Sequence, residues 1–317
     1  MPRTIVCAAL LILGACAWEP PSSPRAAAGS IPRLETRLRE IIAKHAGDSA
    51  VVALAFRDLA TGDSLLLDAH QPLHAASTMK VPVMLELFRR ADARGLSLDD
   101  AVEVRNEFRS IADGSRYALD PADDSDSTLY RRLGERVPIR ELIGLMITRS
   151  SNLATNLLID LADPRRIERT MATLGASEMR VLRGVEDGPA YRAGMNNTTS
   201  AYGLMKVMEA VADGRAASPA ASREMAEVLG RQEFTTMIPA GVPRGVRVAN
   251  KTGSITRIAH DAAIVYPPGR APYVLVVLTR GFTSTETAAP VAHEVSAAVW
   301  RYVASAPPRG TPRRPAR

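Results

Sequence analysis

The chain has 317 residues, enough for one large domain or two modest ones. Apolar residues make up 46% and charged residues 23%, so wholesale disorder is excluded, and the 22 prolines and 21 glycines follow no collagen-like period. The net charge of +6 is mostly terminal: residues 1–29 carry +1, residues 307–317 carry +4 and the body between them only +1, which argues against a nucleic-acid-binding face.

In chain order, Arg3 precedes an apolar run from Thr4 to Leu13 that is too short to cross a membrane and fits an export signal over residues 1–17. Leu13-Gly14-Ala15-Cys16 has the form of a lipoprotein box with Cys16 as the lipid-bearing residue, while Ala15-Cys16-Ala17 also fits a small-x-small cleavage site. The expected location is the periplasm or cell envelope. Cys7 lies inside the signal, so the mature body has no disulfide and depends on packing. Residues 18–29 read as a Pro/Ser/Ala tether.

A helix follows, with Ser30 able to cap it and Leu34, Leu38, Ile41 and Ile42 on one stripe. Strands are predicted at residues 50–57 and 64–68, joined by a turn at Thr61-Gly62-Asp63. The middle predicts helices at 78–93, 139–148, 153–161, 165–174, 200–212 and 220–229. Residues 106–128 are polar and turn-rich, with Asp120, Asp123, Asp124 and Asp126 read as part of a solvated loop. Residues 184–198 also lack periodicity. Strands return at 246–251, 259–266 and 273–279, and a helix at 288–304 closes the body before a basic Pro/Arg tail at 305–317. Strands at both ends with helices between them predict an α/β (α+β) fold. Residues 30–76 and 236–304 would build an antiparallel sheet lobe, with an all-helical lobe over 77–235 inserted and a cleft between the two.

Only four of the 40 basic residues are lysines: Lys44, Lys80, Lys206 and Lys251. A position that keeps Lys in an Arg-rich chain points to a need for an amine that can lose its proton. Ser77-Thr78-Met79-Lys80 places a hydroxyl and an amine on one helix face, a turn apart. A serine becomes nucleophilic when a nearby amine takes its proton, and a helix start supplies N–H groups for an oxyanion. Taken alone, the motif also fits a capped helix with a surface lysine. Ser150-Ser151-Asn152 puts a hydroxyl and an amide into one connection between helices, where a helix cap is the simpler explanation. Lys251-Thr252-Gly253-Ser254 ends a predicted strand, offering a cation, two hydroxyls and a glycine that lets a substrate approach the strand edge.

Together, in the order S-x-x-K, S-x-N, K-T-G, with gaps of 73 and 101 residues, these motifs resemble the penicillin-recognising serine hydrolases, specifically the class A serine β-lactamase family with its β-lactamase/transpeptidase-like fold. The resemblance covers roughly residues 30–304. It implies that Ser77 is acylated, Lys80 assists proton removal, Ser150 passes a proton to the leaving nitrogen and Asn152 orients the substrate side chain. Lys251 and Thr252 would hold the substrate carboxylate, Gly253 would keep the strand edge open, and the N–H groups of Ser77 and Ser254 would form the oxyanion hole. It also implies a small-molecule substrate, either a β-lactam or a peptidoglycan stem peptide. A slowly deacylating peptidoglycan DD-peptidase and a non-catalytic envelope lipoprotein are the alternatives.

The chain departs from the family pattern in several places. The middle loop lacks E-x-x-L-N, and Glu186 is the nearest candidate for activating the deacylating water. Asn197 replaces an Asp that would clamp Arg183, and Ser151 replaces an Asp between Ser150 and Asn152. Ile255 and His260 stand where smaller residues are usual. The five histidines show no metal-ligand spacing, so neither metal nor cofactor is expected, and a monomer is the expected state.

Overall fold

The computed structural model describes residues 30–47 and 50–305. The export signal with Cys16, residues 18–29 and residues 306–317 of the tail lie outside the described residues.

The N-terminal helix α1 (Ile31–Ala46) leads into strands β1 (Val51–Asp58), β2 (Ser64–Leu67) and the short β3 (Leu73–His74). Helix α2 (Lys80–Asp92) is followed by four short strands: β4 (Ala101–Glu103), β5 (Phe108–Arg109), β6 (Arg116–Tyr117) and β7 (Arg136–Pro138). Then come α3 (Ile139–Thr148), α4 (Asn152–Ala162), α5 (Pro164–Thr173), α6 (Gly188–Arg192), β8 (Thr198–Thr199), α7 (Ala201–Ala212) and α8 (Pro219–Leu229). The chain closes with β9 (Arg247–Ile255), β10 (Ile258–Tyr266), β11 (Tyr273–Arg280) and α9 (Thr285–Ser305).

Five strands form one antiparallel sheet in the order β2-β1-β11-β10-β9. The N-terminal β1 pairs along its whole length with the C-terminal β11, from Val51 opposite Arg280 to Asp58 opposite Tyr273. The sheet is buried on both faces, so its strands read as apolar runs and alternation sorts their side chains into two cores. Ala53, Ala55, Ala262, Ile264, Val274, Val276 and Leu278 face the core shared with the central helices. Val52, Leu54, Phe56, Ala263, Val265, Leu275 and Val277 face the core shared with α1 and α9. At the sheet's end, buried Asp58 takes Arg270 from the β10–β11 turn at 2.6 Å, which ties the two chain ends together.

The predicted strands and long helices are present with shifts of up to a few residues at their ends. The largest shift at one end is in β9, which runs past its expected end at Lys251 to Ile255, so that Lys251–Ser254 lie within the strand; α9 starts early, at Thr285, and carries Pro290 near its beginning. Two expectations need correction. Ser30 precedes α1 in extended conformation but its side chain makes no capping bond. Residues 106–128 are not simply a solvated loop: they contain the β5–β6 hairpin, and Asp126 is buried with one oxygen bonded to Thr128.

Side-chain caps do mark several later helices. Ser151, Asp163, Asp187, Ser200 and Ser218 each accept a backbone N–H in the first turn of α4, α5, α6, α7 and α8.

Strand β9 is a sheet edge, so one row of its backbone groups is free to face the central helices. On the α1/α9 side of the sheet, Gly241 presses on the middle of α9. A Cβ there would lie 2.4 Å from the His293 carbonyl oxygen and 2.6 Å from Ser296 Cβ. Gly241→Ala should therefore destabilise the protein by about 1–3 kcal/mol through overpacking, measured by denaturant unfolding.

Candidate active site

The turn before Ser77 is held from three directions. Ala75 donates its N–H to the Asn197 carbonyl at 2.9 Å. Ala76 has φ +45°, unusual for a residue with a side chain, and its N–H is taken by His74 Nδ1 at 3.0 Å. His260 donates from Nε2 to the His74 carbonyl at 2.9 Å, while its Nδ1 accepts the Thr279 N–H at 3.1 Å. These bonds fix His260 as a neutral imidazole, consistent with burial pushing its pKa down to about 4. Burial, and then the Arg183 charge, also lower the pKa of His74. His260, a departure from the family pattern, thus links the nucleophile's turn to the centre of the sheet.

From this turn a short 3-10 segment, Ala76–Met79, presents the half-buried Ser77 and runs into α2 at Lys80. Gly253 of β9 packs directly on it. A Cβ at that position would come within 2.9 Å of the Thr78 nitrogen and 3.0 Å of the Ser77 nitrogen. Only a residue without a side chain lets the edge of β9 lie against the amides of the nucleophile turn.

Lys80 and Lys251 are both fully buried. Lys80 Nζ donates to the Ser150 carbonyl at 2.6 Å, to Asn152 Oδ1 at 2.9 Å and to Ser150 Oγ at 3.2 Å. Lys251 Nζ approaches the same Ser150 Oγ from the other side at 3.1 Å and also donates to the Thr252 carbonyl at 2.8 Å. Ser150 occupies the left-handed region, φ +60°, which turns both its carbonyl and its hydroxyl toward the lysines. Desolvation lowers the pKa of Lys80 to about 7, opposed by the charges of Asp124 and Glu186. The pKa of Lys251 is also lowered, first by burial and then by the nearby Lys80 charge. The three donors of Lys80 are therefore spent on the Ser150–Asn152 segment rather than on Ser77. Once it loses a proton, this amine can act as a base.

Ser151 caps α4 through Ala154 N–H at 3.2 Å, which leaves Ser150 and Asn152 for the cleft. The carboxylate missing at position 151 is supplied by the 106–128 segment. Asp124 accepts the N–H groups of Asn152 and Leu153 at 2.9 Å each, as well as the Tyr130 hydroxyl at 3.0 Å. Sequence reasoning assigned Asp124 to a solvated cluster; its placement at the start of α4 arises from a long-range contact.

Glu186 is solvent-exposed and has φ +62°. Its carboxylate accepts Asn152 Nδ2 at 3.2 Å, and partial desolvation is the main cause of its raised pKa. The loop neck is closed without an ion pair. Arg183 donates to the Met195 carbonyl at 2.9 Å and to Asn196 Oδ1 at 3.1 Å. Asn197 in turn brackets the backbone of residues 182 and 183 through three bonds of 2.8–3.1 Å. As the Asn at position 197 implies, a carboxylate–arginine clamp is absent here, and amide and carbonyl groups hold the loop neck in its place.

Ser77, Lys80, Ser150, Asn152, Glu186, Thr252, Gly253 and Ser254 line one cleft of about 610 Å³, while Lys251 lies beside it against Ser150. Phe234 and Ile255, both exposed, stand on its rim. The cleft brings together the Ser77 hydroxyl, an amine of lowered pKa, a hydroxyl between two lysines and the free edge of β9. Among the described residues no group of three or more His, Cys, Asp or Glu could hold a metal ion.

The model of the beta-lactamase enzyme family matches residues 33–303. A β-lactamase of Streptomyces cellulosae is 28% identical over 87% of this chain and 88% of its own length. One from Rhodobacter capsulatus is 28% identical over 71% and 73%. Among solved structures, a β-lactamase from Sphaerobacter thermophilus superposes with a TM-score of 0.74 at 24% identity, covering 86% of this chain and 98% of that one. PBP-A superposes with a TM-score of 0.73 at 22% identity, covering 87% and 97%.

Because Asp124 and Glu186 both raise the pKa of Lys80, removing either charge should lower it further. Asp124→Asn should shift the Lys80 titration, followed by NMR of labelled lysine, to lower pH than in the unmodified protein.

Proposed function

The chain belongs to the β-lactamase enzyme family, and from that premise we propose that it hydrolyses β-lactams through an acyl-enzyme on Ser77. It is a serine β-lactamase-like hydrolase, and the observation that carries the residue roles is the single Ser150 hydroxyl contacted by both buried lysines beside Ser77.

In this reading Ser77 Oγ attacks the lactam carbonyl carbon as neutral Lys80 takes its proton. The N–H groups of Ser77 and Ser254 hold the developing oxyanion. The ring C–N bond breaks, and the nitrogen receives a proton from Ser150, which recovers one from the adjacent lysine. Lys251, Thr252 and Ser254 engage the substrate carboxylate, Gly253 leaves room for it, and Asn152 orients the side-chain amide. A water molecule then attacks the ester carbonyl, Glu186 takes its proton, and Ser77 leaves with a proton restored, so that the net reaction adds one water across the ring amide. The raised pKa of Glu186 suits a group that must accept and release a proton in each cycle.

We also propose that residues 1–17 direct export, that Cys16 carries lipid at the cell envelope, and that the enzyme acts as a monomer with a sheet lobe and an inserted helical lobe. Among the described residues no helix is long and apolar enough to cross a membrane.

The loop's lack of L-N after Glu186 keeps slow deacylation, as in a DD-peptidase, as the second reading. A chromogenic β-lactam followed by colour and intact protein mass distinguishes the two. Sustained turnover supports the hydrolase, and one burst with a persistent Ser77 adduct supports the peptidase. Absence of both adduct and colour would leave only a binding role. Glu186→Gln should retain acylation and accumulate the adduct; unchanged turnover would remove Glu186 from the mechanism. Acylation should rise with pH through about 7, because the protonated Lys80 that dominates below that value cannot accept the serine proton.

A further inference from the structure

The Glu186 carboxylate is held by Asn152 Nδ2 and by a hydrogen bond from the Asp120 backbone, and its chain neighbours anchor the peptide that carries it. On the side before it, Val185 donates its N–H to Asn156 Oδ1 at 2.6 Å and receives Asn156 Nδ2 on its carbonyl at 3.0 Å. On the side after it, Asp187 is buried and accepts Ser110 Oγ at 2.6 Å and the Ile111 N–H at 3.0 Å. The same Asp187 carboxylate caps α6 through the Ala190 N–H at 3.1 Å. Ser110 and Ile111 belong to the turn of the β5–β6 hairpin, inside the polar, turn-rich segment 106–128. The hairpin touches the first clamp too: the Tyr117 hydroxyl lies 3.4 Å from Asn156 Nδ2. A Cβ on Gly184 would sit 2.9 Å from that hydroxyl and 2.7 Å from Asn156 Oδ1. A residue in the left-handed region is thus fixed at both peptide neighbours, with the hairpin contributing to each.

We propose that the β5–β6 hairpin is a positioning strap for the deacylating carboxylate, with Ser110 as a positioning residue that acts through Asp187. The strap holds Glu186 where it can orient the hydrolytic water. It therefore governs hydrolysis of the acyl-enzyme far more than its formation, because Ser77, Lys80 and Ser150 are anchored on other elements and feel Glu186 only through its charge and through Asn152. The inference rests on the assignment of Glu186 as the deacylating base.

The test compares the unmodified enzyme with Ser110→Ala, Glu186→Gln and the double variant, using a chromogenic cephalosporin and intact mass after acid quench. Ser110→Ala should lower kcat by about 10- to 100-fold, the loss expected from a displaced catalytic group. KM should fall in proportion, kcat/KM should hold, and the Ser77 adduct should accumulate. That split identifies slowed deacylation, whereas general loosening of the fold would lower kcat/KM as well. Adding Ser110→Ala to Glu186→Gln should slow deacylation no further, since the strap acts through that carboxylate. Adduct accumulation in Glu186→Gln with unchanged kcat in Ser110→Ala would overturn the strap alone. A fall in kcat/KM in Ser110→Ala, or additive effects in the double variant, would also overturn it. Unchanged turnover in Glu186→Gln would overturn the assignment of Glu186, and the strap with it.

Discussion

Two amines buried around one hydroxyl are the constraint from which the rest of the site follows. Removing an ammonium group from water costs several kcal/mol even after relaxation, and a second like charge nearby adds to that cost. Lys80 and Lys251 meet it with carbonyl and hydroxyl acceptors from Ser150, Asn152 and Thr252, and with carboxylates close enough to favour their charged forms: Asp124 and Glu186 for Lys80, Asp261 for Lys251. The compensation is incomplete, and both pKa values are lowered. In the proposed mechanism, incomplete compensation is what would let Lys80 take a proton from Ser77, because an ordinary surface lysine would stay protonated at neutral pH. The left-handed backbone of Ser150 is the local strain that this arrangement requires.

The sheet makes the arrangement durable. Lys251 sits on β9, whose other side is paired along its length with β10, while Ser77 sits in the 3-10 turn that leads into α2, Lys80 begins α2 and Ser150 lies just before α4. These elements are far apart in sequence, and the pairing of β1 with β11 closes the chain so that they meet. Gly253 sets the closeness of that meeting, and the neutral His260 braces the turn from the sheet's interior.

Much of this was legible in the sequence because each part leaves a local mark. The strands are apolar runs, the long helices are amphipathic or buried stripes, and Ser77, Lys80, Ser150, Asn152 and the Lys251–Ser254 run occupy recognisable spacings. What was not legible depends on contacts between distant segments. Asp124 looks like any residue of an acidic turn until α4 is placed against it. Asp187 and Ser110 are 77 residues apart and neither carries a periodic signal. The His74–His260 pair joins a two-residue strand to the middle of the sheet, and an isolated histidine at either place reads as an ordinary interior residue. Ser30 erred in the other direction: its residue type permits a cap, but the geometry does not make one.

The distribution of charge around the cleft has a consequence for binding orientation. Asp123, Asp124 and Glu186 gather where the 106–128 segment meets the loop carrying Glu186, while Lys251 lies on β9 and Lys80 is near both. His74 and His260, between the nucleophile turn and the sheet, are held neutral. The body as a whole is almost uncharged, so no long-range field overrides this local polarity. On the proposed reading, this polarity would favour an anionic substrate with its carboxylate along the β9 edge and its reactive carbonyl over Ser77. The same polarity leaves the carboxylate wall to water, the reactant needed in the second half of the reaction. In the proposed mechanism, one division of charge would thus separate substrate binding from delivery of the hydrolytic water.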